Sequence, residues 1–242
     1  MKVIAHRGAC REALENSWEA FQKAIEVKAD RIEFDVQPTL DGELAIMHDE
    51  SLARTCEGED YDLAALTRKQ LQAFRLKNGE AIPFLDECLT RLRDKIELNI
   101  EIKSKSIDSA DKVAQMILKR GKGAGIIVSS FHPDVLSFLA KNYKGIELAF
   151  LFEAKNALET RDFQQIEHYM HATNISIFHP DAMLVSESMI NWTKANNWKV
   201  YPYVSNTIEN PEILWPFLYE LGIDGLCTNY PRELKAWLLT KK

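Results

Sequence analysis

The chain has 242 residues, 46% of them hydrophobic and 27% charged, which is the balance of a soluble globular protein and excludes disorder as its main state. Thirty basic residues against 36 acidic ones leave a formal charge of −6, so a nucleic-acid partner is not expected and an anionic ligand needs a few locally placed cations. No apolar run approaches the roughly 20 residues of a membrane span, so stable membrane insertion is not expected either.

In chain order, Val3–His6 is the first predicted strand and Asn16–Val27 a helix. Arg31–Val36 and Glu43–His48 follow as strands, Phe84–Asp94 as a helix and Glu97–Lys103 as a strand. Then come helix Asp108–Lys119, strand Gly125–Phe131, helix Asp134–Asn142 and strand Ile146–Phe152. Helix Arg161–His171, strand Asn174–Phe178, helix Ser186–Asn196 and strand Lys199–Val204 continue the alternation. Helix Ile208–Leu221, strand Asp224–Thr228 and helix Pro231–Leu239 complete it. Strands alternating with helices indicate βαβ units and a parallel sheet. About eight such units predict an α/β fold, a (β/α)₈ TIM barrel, with a doubly wound open sheet as the competing arrangement. Residues 51–83 break the rhythm, with one short helical piece at Arg68–Phe74. They read as a small inserted subdomain near the functional face of a single domain spanning residues 1–242.

Polar residues stand where core is expected. In Arg31–Val36, side chains alternate faces: Ile32, Phe34 and Val36 share one, while Arg31, Glu33 and Asp35 share the other. Glu97–Lys103 repeats this, with Glu97, Asn99, Glu101 and Lys103 opposite Leu98, Ile100 and Ile102. One such strand is most simply half-exposed. Two strands flanked by helices direct Glu33, Asp35 and Glu101 inward as a cluster, at a desolvation cost that calls for a cation. Oxygen-only ligands select Mg²⁺ or Ca²⁺ over zinc. His6 and His48 each end a predicted strand, where barrel enzymes place chemistry, and two imidazoles beside a metal can divide acid and base roles. His132, His168, His171 and His179 are read as structural, with His132 near the mouth.

Other features carry less. Residues 121–125, Gly-Lys-Gly-Ala-Gly, precede a strand and open no helix, so they read as a helix stop and turn, not a phosphate loop. The tryptophans lie in or beside amphipathic elements and read as core, while Tyr203 near a strand end offers an aromatic wall to a pocket. Cys10, Cys56, Cys88 and Cys227 are too irregularly spaced for a zinc site or disulfide framework. Met1–Gly8 lack the layout of a signal peptide, so free thiols in a cytoplasmic protein are expected.

Taken together, these residues resemble the glycerophosphodiester phosphodiesterase family over almost the whole chain. Ile4-Ala5-His6-Arg7-Gly8 looks like its opening motif, and Glu15-Asn16-Ser17 is similar to its Glu-Asn-Thr. Glu33-Phe34-Asp35-Val36, Met47-His48-Asp49, Leu52-Ala53-Arg54-Thr55 and Ile82-Pro83-Phe84-Leu85 follow at family-like spacing. Glu101-Ile102-Lys103, Ser130-Phe131 and the run from Gly222 to Pro231 resemble its later motifs. The resemblance implies a barrel that hydrolyses small-molecule glycerophosphodiesters to glycerol 3-phosphate and an alcohol. It implies metal ligation by Glu33, Asp35 and Glu101, an acid–base pair of His6 and His48, and Arg7 and Lys103 on the phosphate. Glu15 then holds Arg7 or a glycerol hydroxyl. A phospholipase-type enzyme acting on lysophospholipids is the nearest alternative, and an inactive binding barrel a remote one. Three positions depart from the pattern: Ser17 for threonine, Tyr203-Val204-Ser205-Asn206 for Trp-Thr-Val-Asn, and Asn229 for aspartate. They bear on substrate preference and leave the metal and histidine set intact.

Overall fold

The computed structural model describes residues 1–119, 123–153, 163–204, 208 and 210–241. Its strands are β1 (Lys2–His6), β2 (Arg31–Pro38), β3 (Leu44–Ile46), β4 (Glu97–Ile102) and β5 (Ile126–Ser130). They continue with β6 (Glu147–Phe152), β7 (Ile177–Pro180), β8 (Lys199–Val200) and β9 (Gly225–Thr228). Neighbours in the sheet run β8-β7-β6-β5-β4-β2-β1-β9, and every pair along that path is parallel. The ends meet through Tyr203, which bridges in parallel to Asp181 on one side and to Cys227 on the other. Cys227 N–H donates to Pro202 O at 2.8 Å and Val204 N–H to Cys227 O at 3.0 Å, which stitches the seam. The result is a nearly closed barrel of eight parallel strands with helices outside, the expected (β/α)₈ architecture.

Period-two alternation explains how the barrel packs. Ile32, Phe34, Val36, Leu98, Ile100 and Ile102 face outward into the core beneath the helices, where Phe21 of helix Trp18–Glu26 lies 5.7 Å from Phe34. Inside the barrel, Ile4, Ile127, Ala149, Ile177, Tyr201 and Cys227 form a separate apolar plug. Inward-facing Glu33, Asp35 and Glu101 lie further towards the strand C-termini, in register across β2 and β4.

Three strand expectations change, the simplest being Asn174–Phe178, which is found as Ile177–Pro180. Glu43–His48 is not a barrel strand: its centre, Leu44–Ile46, pairs antiparallel with the end of β2 through Val36↔Ile46 and Pro38↔Leu44. Only residues 39–43 separate the two strands, enough for a hairpin, whereas a parallel return needs a crossover of about a dozen residues. Lys199–Val204 shortens to Lys199–Val200, since Pro202 has no N–H to give to a ladder. The helix expected over Arg161–His171 is seen from Phe163 to Thr173, and residues 161 and 162 lie outside the described residues. Within the glycine-rich stretch, 121 and 122 also lie outside them, and a helix ends at Lys119 while β5 begins at Ile126.

Residues 51–83 carry an apolar cluster of their own, in which Leu52, Leu63, Leu71 and Leu76 are buried together against Met47 and Phe84. The Glu80 carboxylate ties this segment to the barrel by accepting from Trp18 N–H at 2.7 Å and Glu19 N–H at 3.1 Å at the start of a helix.

The turn after β1 brings the chain tightly over helix Trp18–Glu26. Arg7 has φ 54° and Gly8 φ 81°. A Cβ at Gly8 would meet the Ala20 backbone carbon at 2.7 Å. Gly8→Ala should therefore destabilise the fold by about 2 kcal/mol or more, combining left-handed strain with a backbone clash. Urea denaturation midpoints check this; an unchanged midpoint would count against the close approach.

Candidate active site

Strand register builds the centre. Asp35 on β2 stands opposite Glu101 on β4, and Glu33 lies two residues earlier on the same inward face. One oxygen from each of Glu33, Asp35 and Glu101 falls within 4.8 Å of the others, and all three residues are buried. Each ionised pair at such a distance costs about 3 kcal/mol at an effective dielectric of about 20. Positive charge nearby is limited. Lys103 Nζ lies 2.8 Å from Glu101 Oε1 and 3.9 Å from Asp35 Oδ1. Arg7 Nε lies 3.3 Å from Asp35 Oδ2, but the same guanidinium also donates to Glu15 Oε1 at 2.9 Å. Two shared cations thus face three carboxylates.

Protonation follows from this imbalance. Burial, then repulsion by Asp35 and Glu101, drives the Glu33 carboxyl well above its ordinary range. Glu101 is also raised, chiefly by burial, with Lys103 pulling the other way. Asp35 is held low: burial opposes ionisation, but Arg7, Lys103, His48 and the Asn16 amide outweigh it. Asn16 Nδ2 donates to Asp35 Oδ2 at 2.9 Å and fixes that carboxylate. Glu33 Oε2 accepts from the Arg7 backbone N–H at 2.9 Å, whereas Glu33 Oε1 and Asp35 Oδ1 are buried with no hydrogen-bond partner. Buried, unpartnered carboxylate oxygens facing one point, short of positive charge, are the donor set that suits a hard divalent cation.

Both expected histidines line the same pocket of about 350 Å³, together with Arg7, Glu33, Glu101 and Lys103. His6, at the end of β1, points Nδ1 at Asn229 Oδ1, 2.6 Å away. The amide oxygen only accepts, so Nδ1 carries the proton and Nε2, 3.9 Å from Glu33 Oε2, is left bare. Burial and then the Arg7 charge push the His6 imidazole down to about 4, so it is neutral near pH 7. His48 lies just beyond β3 with its Nδ1 2.6 Å from Asp49 Oδ1. Hydrogen bonds from Arg54 are the largest influence holding the Asp49 carboxyl down at about 2. An ionised Asp49 can only accept, so His48 donates from Nδ1, which leaves its Nε2 edge available to the pocket.

Glu15 does not line this pocket; it grips Arg7, the first of the two uses expected for it. Tyr203 does line it, with its ring 6.0 Å from Phe131 in an edge-on contact, and Lys103 Nζ lies 5.8 Å from the Phe131 ring. His132, expected near the mouth, does not line this pocket but a neighbouring hollow, its ring Nε2 2.9 Å from Lys103 O.

Sequence reasoning missed other lining residues. His179 was read as structural, yet it faces the pocket from β7, with Nε2 3.3 Å from the Asn99 amide nitrogen. Burial, then the proximity of His6, pushes it down to about 3. Leu151, Glu153 and Asp181 also reach the pocket. The alternation that singles out Glu33 and Asp35 runs through Leu151-Phe152-Glu153 and His179-Pro180-Asp181 as well. Asn229 was noted as a departure from the family pattern, and it proves to be the group that holds His6.

The sequence profile of the Glycerophosphoryl diester phosphodiesterase family matches residues 6–233. A glycerophosphodiester phosphodiesterase of Caldanaerobacter subterraneus subsp. tengcongensis is 31% identical over 96% of this chain and 95% of its own. One from Bacillus altitudinis is 31% identical over 95% of each chain. A crystallised Oleispira antarctica phosphodiesterase in complex with the product sn-glycerol-3-phosphate superimposes with TM-score 0.84 at 22% identity, covering 98% of this chain and 96% of that one.

Glu33→Gln removes one of the three mutually repelling carboxylates. The metal-free protein should then melt a few degrees higher, about 1 kcal/mol, while the stabilisation of the wild type by added Mg²⁺ or Ca²⁺ should largely vanish. Melting curves with and without the cation test this, and a variant that still responds fully to cation would contradict it.

Proposed function

Because the chain belongs to the glycerophosphoryl diester phosphodiesterase family, we propose that it hydrolyses glycerophosphodiesters to glycerol 3-phosphate and an alcohol, with a divalent cation and two histidines. The observation that carries this reading is a cluster of three buried carboxylates, two of which, Glu33 and Glu101, line the same pocket as the two imidazoles. Glu33, Asp35 and Glu101 would hold the cation, which would supply positive charge to offset that of the bound diester. Mg²⁺ and Ca²⁺ both suit an all-oxygen site.

The chain's own residues supply the rest. Arg7 offers paired N–H donors to phosphate oxygens and Lys103 a point charge, which together offset the diester's negative charge as it grows at the reacting centre. His6 is the base. Its neutral ring presents a bare Nε2 to the pocket and takes the proton from the attacking oxygen. That oxygen forms the new bond to phosphorus as the bond to the leaving alcohol breaks. His48 is the acid and protonates the departing oxygen from Nε2, with its Nδ1 held by Asp49. The attacking oxygen belongs to water or to the substrate's own neighbouring glycerol hydroxyl; the second route passes through a cyclic phosphate that water then opens. Tyr203 and Phe131 form the aromatic wall against which the carbon skeleton packs.

We read the chain as one catalytic domain with residues 51–83 inserted. All four cysteines are free, which suits a reducing compartment, and we place the enzyme in the cytoplasm. Among the described residues, no helix is long and apolar enough to cross a membrane. A lysophospholipid substrate is less well supported, since of Leu63, Leu66, Leu71 and Phe74, the apolar residues the insertion could offer a lipid, the three leucines are buried and Phe74 is half-buried. Glycerophosphocholine should therefore turn over faster than lysophosphatidylcholine at equal concentration; the opposite order would favour the lipid reading.

EDTA should abolish hydrolysis of glycerophosphocholine and Mg²⁺ or Ca²⁺ should restore it; full activity in a verified metal-free sample would refute the carboxylates' role. His6→Ala and His48→Ala should each lose about 10²-fold or more in kcat while retaining the wild-type circular dichroism spectrum. Near wild-type turnover in either would end the two-histidine scheme.

A further inference from the structure

Arg54 comes from the insertion, not from a barrel strand, and its side chain is 47% exposed. One edge of its guanidinium faces Asp49: Nε donates to Oδ2 at 2.5 Å and Nη2 to Oδ1 at 3.1 Å. The other edge faces Glu15: Nη1 donates to Oε2 at 2.7 Å and Nη2 to Oε1 at 2.7 Å. Each carboxylate has a second partner that lines the pocket. Asp49 Oδ1 accepts from His48 Nδ1 at 2.6 Å, and Glu15 Oε1 accepts from Arg7 Nη1 at 2.9 Å. The chain of contacts therefore runs His48, Asp49, Arg54, Glu15, Arg7.

We propose that Arg54 is a positioning residue that sets the His48 imidazole and the Arg7 guanidinium at once, so that a cation of the insertion aligns the proton donor with the group that holds the phosphate. This rests on the roles given above to His48 and Arg7. A single exposed ion pair contributes little, about 0 to 1 kcal/mol. The geometry here differs, because one planar fork engages two carboxylates edge by edge and fixes the orientation of both. Without it, Asp49 no longer has a fixed plane against which to hold the His48 ring. Glu15, only 14% exposed, is left with Arg7 as its cation and draws that guanidinium away from the phosphate. Misplacing a reacting group by about 1 Å can cost about 10²-fold in rate. A lysine has the charge but not the fork, so it cannot span both partners.

Steady-state kinetics on glycerophosphocholine with saturating Mg²⁺ or Ca²⁺ separate the two arms. Asp49→Asn should lower kcat about tenfold with little change in KM, because it loosens the proton donor alone. Glu15→Gln should mainly raise KM, because it loosens the phosphate-holding guanidinium. Arg54→Ala should show both effects, about 10²-fold in kcat/KM, with an unchanged circular dichroism spectrum. Added guanidinium ion, at tens of millimolar, should recover at least about tenfold of that loss, and Arg54→Lys should recover little. A folded Arg54→Ala enzyme within threefold of wild type would overturn the inference, as would a loss that guanidinium does not relieve. If Arg54→Ala does not fold, the Asp49→Asn and Glu15→Gln pair decides: wild-type kcat and KM in both would overturn it. His48→Ala separates the two levels. Full activity in that variant sinks the underlying mechanism, whereas an inactive His48→Ala beside a fully active Arg54→Ala sinks only the role of Arg54.

Discussion

Carboxylate repulsion inside a barrel governs the upper half of this structure. Glu33, Asp35 and Glu101 lie within 4.8 Å of one another, away from water, and no apolar packing offsets the cost of ionising them together. Much of what surrounds them answers that cost. Lys103 leans onto Glu101, Arg7 onto Asp35, and the Asn16 amide and the Arg7 backbone N–H each satisfy one oxygen. Glu33 Oε1 and Asp35 Oδ1 are still left without a hydrogen-bond partner.

The compensating groups make demands on the backbone in turn. Arg7 can present both its N–H and its guanidinium to the cluster because the turn after β1 adopts φ 54° there and 81° at Gly8. Asn16, with φ 56°, ends the same loop, and its N–H donates to Arg7 O at 3.0 Å. Among the described residues five non-glycines have positive φ, and two of them, Arg7 and Asn16, stand where a backbone group and a side chain of one residue serve the same loop and cluster. On the other side of the pocket, the groups that steady His48 and Glu15 come from beyond the barrel, which gives the insertion a chemical as well as a structural place in the protein.

Much of this was legible in the sequence because a strand's period of two is strict. Once Ile32, Phe34 and Val36 are assigned to the helix-facing side, Glu33 and Asp35 can only face the axis. The same rule would have exposed Glu153, His179 and Asp181, but their strands are short and rich in apolar residues, so no contrast between faces drew attention to them. The Glu43–His48 segment was recognised as extended but assigned to the barrel, since alternation says nothing about the direction of pairing; the five-residue connection, 39–43, held that information. His48 nonetheless reaches the pocket, by way of a hairpin instead of a barrel strand. Long-range partners were not legible at all. Nothing local ties Asn229 to His6 or Arg54 to Glu15, because these pairs exist only once the barrel closes and the insertion folds over its rim.

Tyr203 sits in the seam where the first and last parts of the sheet meet, bridged to Asp181 on one side and Cys227 on the other. Its backbone is therefore part of the hoop itself and not of a loop that could swing. An aromatic surface mounted this way is cast in place when the chain folds. In the role proposed for it, such a ring acts from a fixed position, and evolution can retune it only by exchanging the side chain on a fixed peg.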